Sequence, residues 1–147
     1  METYWSLALM DLEEAQFLHQ QKRWRTSIFF YQQFVEKGAK SLLEKVDSEH
    51  ILLKRTHNPQ LVLGAIDNSY SYNEIGEKSA YFNKFYINSR YPGDTYVEVV
   101  EEAVNRGLEI ALELKIFFEE QHSLLKSYED ELKDSLSFHN IKNKAKE

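Results

Sequence analysis

Residues 28–45 read "IFFYQQFVEKGAKSLLEK". Tyr31, Val35, Ala39 and Leu42 recur at steps of three and four, the spacing that lines up one face of an α-helix. The series reaches back through Ile28 to Trp24 and on to Val46, which predicts one helix of over twenty residues, roughly 35 Å long at 1.5 Å per residue. Polar residues flank that face. Counting by four, Gln32, Glu36 and Lys40 make one ridge, and Phe29, Gln33 and Lys37 make the next. Two roles are open to them. As a solvated stripe, Glu36 and Lys40 form a surface pair worth about 0.3–0.5 kcal/mol and the glutamines serve as helix formers. As a recognition surface, a polar ridge rimmed by Phe29, Phe30 and Phe34 faces another chain or a ligand, because aromatic rims mark interfaces. The second reading makes Gln33, Lys37 and Lys40 candidate binding residues.

The same period continues on both sides. Trp5, Ala8, Leu12, Ala15 and Leu18 or His19 predict an amphipathic helix from about 3 to 20, joined to the first by Lys22-Arg23. Asn58-Pro59 places an N-cap before a proline at the first helical position and heads a short helix, Gln60 to Ile66, which breaks at Asp67-Asn68-Ser69. Ser71 and Glu74 have capping-box spacing ahead of a tyrosine-rich helix running to about Ser89. Pro92 donates no hydrogen bond and disfavours helix at Tyr91, so Arg90-Tyr91-Pro92-Gly93 is a corner. Thr95 and Glu98 form a second capping box, and Val97, Val100, Val104, Leu108, Ala111, Leu114 and Phe118 continue as a long helix. Beyond it, Leu125, Tyr128, Leu132 and Leu136 keep a narrow helical stripe that ends in a frayed "IKNKAKE". Long helices with short joints predict an all-α fold: an up-and-down antiparallel four-helix bundle at 3–120, with an additional short helix and a C-terminal helical extension at 121–147 belonging to the same domain.

Composition narrows the chemistry. A chain of 147 residues with 42% hydrophobic content supports a single core. Net charge of -6 gives no overall nucleic-acid footprint, although a local basic patch remains open. The absence of cysteine excludes disulfides, thiolate zinc sites and cysteine nucleophiles, and suits a reducing cytoplasm. No apolar run approaches the roughly 20 residues that span a bilayer, and the N-terminal residues do not form a signal peptide, so a cytoplasmic protein is expected. None of the five histidines forms an HExxH pair, and GxxxxGK and GxGxxG are missing. Glu119 and His122 have Glu-x-x-His spacing, but a di-iron bundle needs a second copy. No metal site, cofactor or catalytic residue is assigned.

Arg90 has two readings of its own. As a cation in the last turn of a helix it complements the helix dipole, typically about 0.3–1 kcal/mol. Alternatively it faces an anion site at Gly93-Asp94-Thr95, if those residues open the next helix with free N–H groups, although Asp94 competes for the same donors. Arg90 is therefore a fourth candidate ligand residue. Arg23, Arg25, Lys54 and Arg55 are read as solvated, loop-region charges.

Three stretches together, "ALMDLEEAQFLHQQKRWRTSIFFYQQFVEKGAKSLLEK", "RTHNP" and "SRYPGDTYVEVVEEAVNRGLEIALELKIFFEE", resemble the HEPN domain family of prokaryotic helical-bundle proteins. Tyr31 to Lys40 and the corner Arg90 to Pro92 are the specific parts of the match. The resemblance implies a bundle that often dimerises, is associated with a small nucleotidyltransferase, and in some branches is an RNA-cleaving toxin. Those ribonucleases carry an arginine followed by four to six residues and a histidine, a cation for the phosphate and an imidazole for proton transfer. After Arg90 the corresponding positions hold Thr95, Tyr96 and Val97, and His57 lies only two residues after Arg55. The dyad is missing. The expected function is thus an interaction subunit of a toxin–antitoxin-like pair, partnered with a separate minimal nucleotidyltransferase and binding nucleotide or RNA phosphate. The alternatives are a divergent metal-independent ribonuclease, and a purely self-associating bundle. A homodimer is expected in addition, because nine tyrosines and nine phenylalanines exceed what one small bundle readily buries.

Overall fold

The computed structural model describes the backbone of residues 1–145 and the side chains of 1–126 and 130–136. Thr3 starts α1, Tyr4–Gln20, through a reciprocal capping box with Ser6. The helix ends in a Schellman arrangement: Lys22 N–H donates to the His19 carbonyl at 3.1 Å and Arg23 N–H to the Leu18 carbonyl at 2.9 Å. Lys22 sits there at φ 59, a left-handed conformation in which a non-glycine residue is strained. Lys22→Gly is expected to raise stability by about 0.5–1 kcal/mol, less than the full strain because glycine also loosens the unfolded chain. Urea denaturation reads this directly.

The tight joint turns the chain back into α2, Trp24–Val46. This helix is the spine of the molecule, with Ile28, Tyr31, Phe34, Val35 and Ala39 fully buried. Short helices follow: α3 (Leu52–Arg55), α4 (Pro59–Ile66), a 3-10 turn (Asn68–Ser71), α5 (Glu74–Ala80) and α6 (Asn83–Asn88). A single helix, α7, then runs from Glu101 to Ala145. No strand occurs among the described residues. No described helix is long and apolar enough to cross a membrane.

Side-chain contacts give the directions of the long helices. His19 meets Tyr31 and Asp11 meets Lys37, so α1 and α2 are antiparallel. Ile28 lies against Gly107 and Ser41 against His122, so α7 runs parallel to α2. The segmented limb between them descends alongside α7, with Lys78 paired to Glu113 and the Tyr81 hydroxyl donating to the Ala103 carbonyl at 2.8 Å. His19 ties three helices together. Its Nε2–H donates to Asn105 Oδ1 at 2.8 Å, which leaves Nδ1 to accept from the Tyr31 hydroxyl at 2.8 Å. Burial pushes the Tyr31 phenol up to about 12.

The all-α expectation and the ranges of α1, α2 and α4 hold, including the Asn58 cap, which accepts from the backbone N–H of Gln60 and Leu61. Two expectations fail. The tyrosine-rich helix starts later and is two pieces, α5 and α6, because Asn73, not Ser71, caps α5, and the chain turns again at Tyr81-Phe82 to bury Phe82. The expected capping box at Thr95 and Glu98 starts no helix, since α7 begins at Glu101 and residues 91–100 form the connection. The extension at 121–147 is continuous in backbone with α7 as far as Ala145. The side chain of Tyr128, and the frayed end expected at "IKNKAKE" in its side chains and last two residues, lie outside the described residues.

Candidate functional site

The ridge on α2 is covered by the chain itself. Gln32, Glu36 and Lys40 are each no more than 5% exposed, under the segment that leads into α4. Gln32 Nε2 donates to the His57 carbonyl at 3.0 Å, and Gln33 donates to Gln32 Oε1 at 2.7 Å. Glu36 is shared: one carboxylate oxygen meets Lys40 Nζ at 3.4 Å and the other accepts from His57 Nδ1–H at 3.0 Å. Lys37 pairs with Asp11 of α1 and lies 3.4 Å from Gln33 Oε1. Thus the structure engages Gln33, Lys37 and Lys40 within the molecule, and Lys40 is buried. Helical spacing had placed Lys40 beside the core but gave no sign that a loop would close over it.

Arg90 stands elsewhere, just past the end of α6. Its backbone N–H donates to the Ile87 carbonyl at 3.0 Å, and its guanidinium carbon lies 5.0 Å from the Phe29 ring centre and 5.5 Å from that of Tyr86. Tyr91 flanks it at 6.0 Å. Gly93 turns the chain at φ 143, a conformation open to glycine, and Val97 N–H donates back to the Asn88 carbonyl at 2.8 Å. The corner at 90–93 is therefore as the sequence predicts. The helix N-terminus expected at Gly93-Asp94-Thr95 is absent, because α7 begins later, and with it goes that set of free N–H donors.

A second arginine replaces them. Arg25 is in the first turn of α2 rather than in a loop, and Lys54 and Arg55 are in α3. Arg25 and Arg90 together line two adjoining hollows. One, of about 250 Å³, is completed by Thr26 and Phe29; the other, of about 410 Å³, by Tyr91, Pro92, Gly93 and Tyr96. Both guanidinium groups are without a carboxylate within 4 Å among the described residues, whereas Lys37, Lys40, Arg106 and Lys115 each have one and Lys78 has two. Two guanidiniums unpaired among the described residues, beside half-buried Phe29 and Tyr86 and exposed Tyr91 and Tyr96, suit an anionic group carried on a flat body. Sequence reasoning missed Arg25. The available signal was its i,i+4 relation to Phe29, but the contact of Phe29 with Arg90 is long-range.

The histidine that the linear motif lacks lies nearby in space. His57 stacks on Tyr86, with centroids 5.1 Å apart and planes at 22°, so Arg90 and His57 share one ring. Glu36 accepts from Nδ1–H, which leaves Nε2 as the acceptor nitrogen of an imidazole whose side chain is 62% exposed. His122 has a structural place. It packs on Trp5 at 5.1 Å and contacts Ser41 Oγ at 2.9 Å, and burial lowers its pKa. No cluster of metal-ligating side chains occurs among the described residues.

A family model for the HEPN domain matches residues 1–121. The crystal structure of an archaeal HEPN homologue is similar, with a TM-score of 0.63 and 24% sequence identity over 82% of this chain and 98% of that chain. No curated protein matches the sequence. The family match spans α1 to α6, the first part of α7 and the whole Arg25–Arg90 cleft, and the chain belongs to the HEPN family.

Proposed function

We propose that this HEPN domain is an interaction subunit that binds the phosphate of a nucleotide or RNA at the Arg25–Arg90 cleft, and acts with a separate minimal nucleotidyltransferase in a toxin–antitoxin-like pair. The observation that carries the binding is the pair of guanidiniums that have no carboxylate partner among the described residues and line shared hollows with Phe29, Tyr91 and Tyr96. The partner class rests on family membership. Of the four residues first singled out, Arg90 has the geometry for a ligand, while Gln33 and Lys37 lie at the margin of the same helix and Lys40 acts inside the fold.

Calorimetric titration with nucleoside mono- and diphosphates tests the site. Arg25→Ala and Arg90→Ala are each expected to weaken binding about tenfold or more, since hydrogen bonds to charged groups are worth about 1.5–3 kcal/mol. Unchanged affinity in both folded variants, or no binding by the wild type, overturns the reading. Co-purification with a candidate nucleotidyltransferase tests the partner.

One observation favours a second reading, a metal-independent ribonuclease. Arg90 and His57 flank Tyr86, and the Glu36 carboxylate orients His57 as a base. In that case RNA is cleaved with EDTA present, and cleavage disappears in both Arg90→Ala and His57→Ala.

A further inference from the structure

The chain carries 24 acidic residues and a net charge of -6, yet none of those acids lies between Glu14 and Glu36. The 21 residues of that interval cover the end of α1, the joint and the first half of α2, and they include Lys22, Arg23 and Arg25. Residues 78–93, which bring Arg90 to the same cleft, are also free of acids. Lys22, Arg23 and Arg25 are all exposed, and none has a carboxylate within 4 Å among the described residues. An acidic protein therefore keeps a local cationic surface, which starts at the α1–α2 joint and runs into the Arg25–Arg90 hollows.

Local chemistry argues against these cations. Lys22 occupies the left-handed corner at φ 59, where glycine is relaxed and a lysine is strained. Arg23 is the N-cap of α2 and makes no side-chain capping bond, at a position where Ser, Thr, Asp or Asn satisfies a free N–H. Arg25 follows in a first turn that holds no acidic residue, at the helix end that favours negative charge. The negative end of α1 favours Lys22 in part, but the positive end of α2 opposes the two arginines. Local rules broken together at one joint point to a role outside the fold. Three residues span at most about 11 Å of chain, so the long side chains at 22 and 23 reach an anion adjoining one held at Arg25. Given the phosphate reading of the Arg25–Arg90 cleft, on which this rests, we infer that Lys22 and Arg23 form a second anion subsite beside it, and that the ligand carries two or more phosphates in succession. A mononucleotide fills the cleft alone, whereas phosphates in series also engage the joint.

Binding of the full chain is measured with adenosine monophosphate, with a short oligoadenylate and with inorganic tripolyphosphate. Lys22→Gly and Arg23→Gln are each expected to weaken oligoadenylate binding about fivefold at about 0.1 M salt, and to lower the slope of log K against log salt by about 0.7, the share of one phosphate contact. Affinity for adenosine monophosphate is expected to stay within about twofold in both variants. Lys22→Gly separates binding from folding, because that variant is expected to be the more stable protein. A parallel loss for tripolyphosphate shows that phosphates alone are read, and a loss confined to oligoadenylate shows that a nucleotide strand is; either supports the subsite. Unchanged oligoadenylate affinity and salt slope in both variants overturn it, while Arg25→Ala, by still weakening adenosine monophosphate, shows that the cleft reading survives. An equal loss for adenosine monophosphate also overturns it, by placing Lys22 and Arg23 in the cleft itself. A wild type that binds none of the three probes overturns the cleft reading and the subsite together.

Discussion

Lys40→Ala is expected to destabilise the fold by about 3 kcal/mol, because it leaves a buried carboxylate without its ammonium partner. Glu36 and Lys40 are each 5% exposed, so solvent cannot replace the lost charge as it does at a surface pair. His57 still holds one oxygen of Glu36, which keeps the loss towards the low end of the usual range. Glu36→Gln/Lys40→Met removes both charges while roughly preserving volume, and is expected to cost clearly less than Lys40→Ala alone. Urea denaturation of the three proteins decides the matter. A change within about 0.5 kcal/mol for Lys40→Ala would mean that this ridge faces water after all.

Gly38→Val is expected to cost about 3 kcal/mol, at the upper end for overpacking a closed core. A Cβ at Gly38 would overlap the Phe118 ring, which packs directly on α2 at that point. The ring has nowhere to go: it is fully buried and held between Phe34 at 5.9 Å and Trp5 at 6.0 Å. Gly107 on α7 plays the corresponding part farther along, where a Cβ would come within 3.0 Å of Ile28 and Phe82. An isolated helix would gain from replacing glycine by alanine, by about 0.5–1 kcal/mol. The expected sign is therefore opposite to helix propensity, and Gly38→Ala serves as the discriminating variant. If it stabilises the protein, α2 and α7 are not in this close register. Truncating the ring in the Gly38→Val background, with Phe118→Leu, should recover part of the loss if the two residues are coupled.

These two residues lie in the very stretch that most clearly reads as helix, and they divide what is legible from what is not. Ile28, Tyr31, Val35, Ala39 and Leu42 are buried as their spacing requires, since a period of 3.6 is a local property that one strand of sequence carries in full. The same spacing gave the angle of Lys40 around α2 but not its covering. Over the same ridge, His57 meets Gln32 and Glu36, and it is apart in sequence and returned by the turns after Val46. Arg25 follows the same logic: its helical place was local, and its pairing with Arg90 was not.

Local signals also failed where two of them competed. Ser71 and Glu74 have the spacing of a capping box, but Asn73 accepts from the Gly76 N–H and captures the start of α5. Thr95 and Glu98 have it too, but the Val97 N–H is drawn to the Asn88 carbonyl, and the helix waits until Glu101. By itself, the sequence determined helical class, the extents of α1, α2 and α4, the corner at Arg90 to Gly93, and a prolonged apolar stripe past Phe118, all set by spacing and backbone chemistry within a few residues. Tertiary structure alone decided that Lys40 is internal, that Gly38 receives Phe118, and that Arg25, Arg90 and His57 gather around Phe29 and Tyr86. Such contacts join segments up to 80 residues apart, from Gly38 to Phe118, and depend on how helices pack rather than on the order of side chains along any one of them.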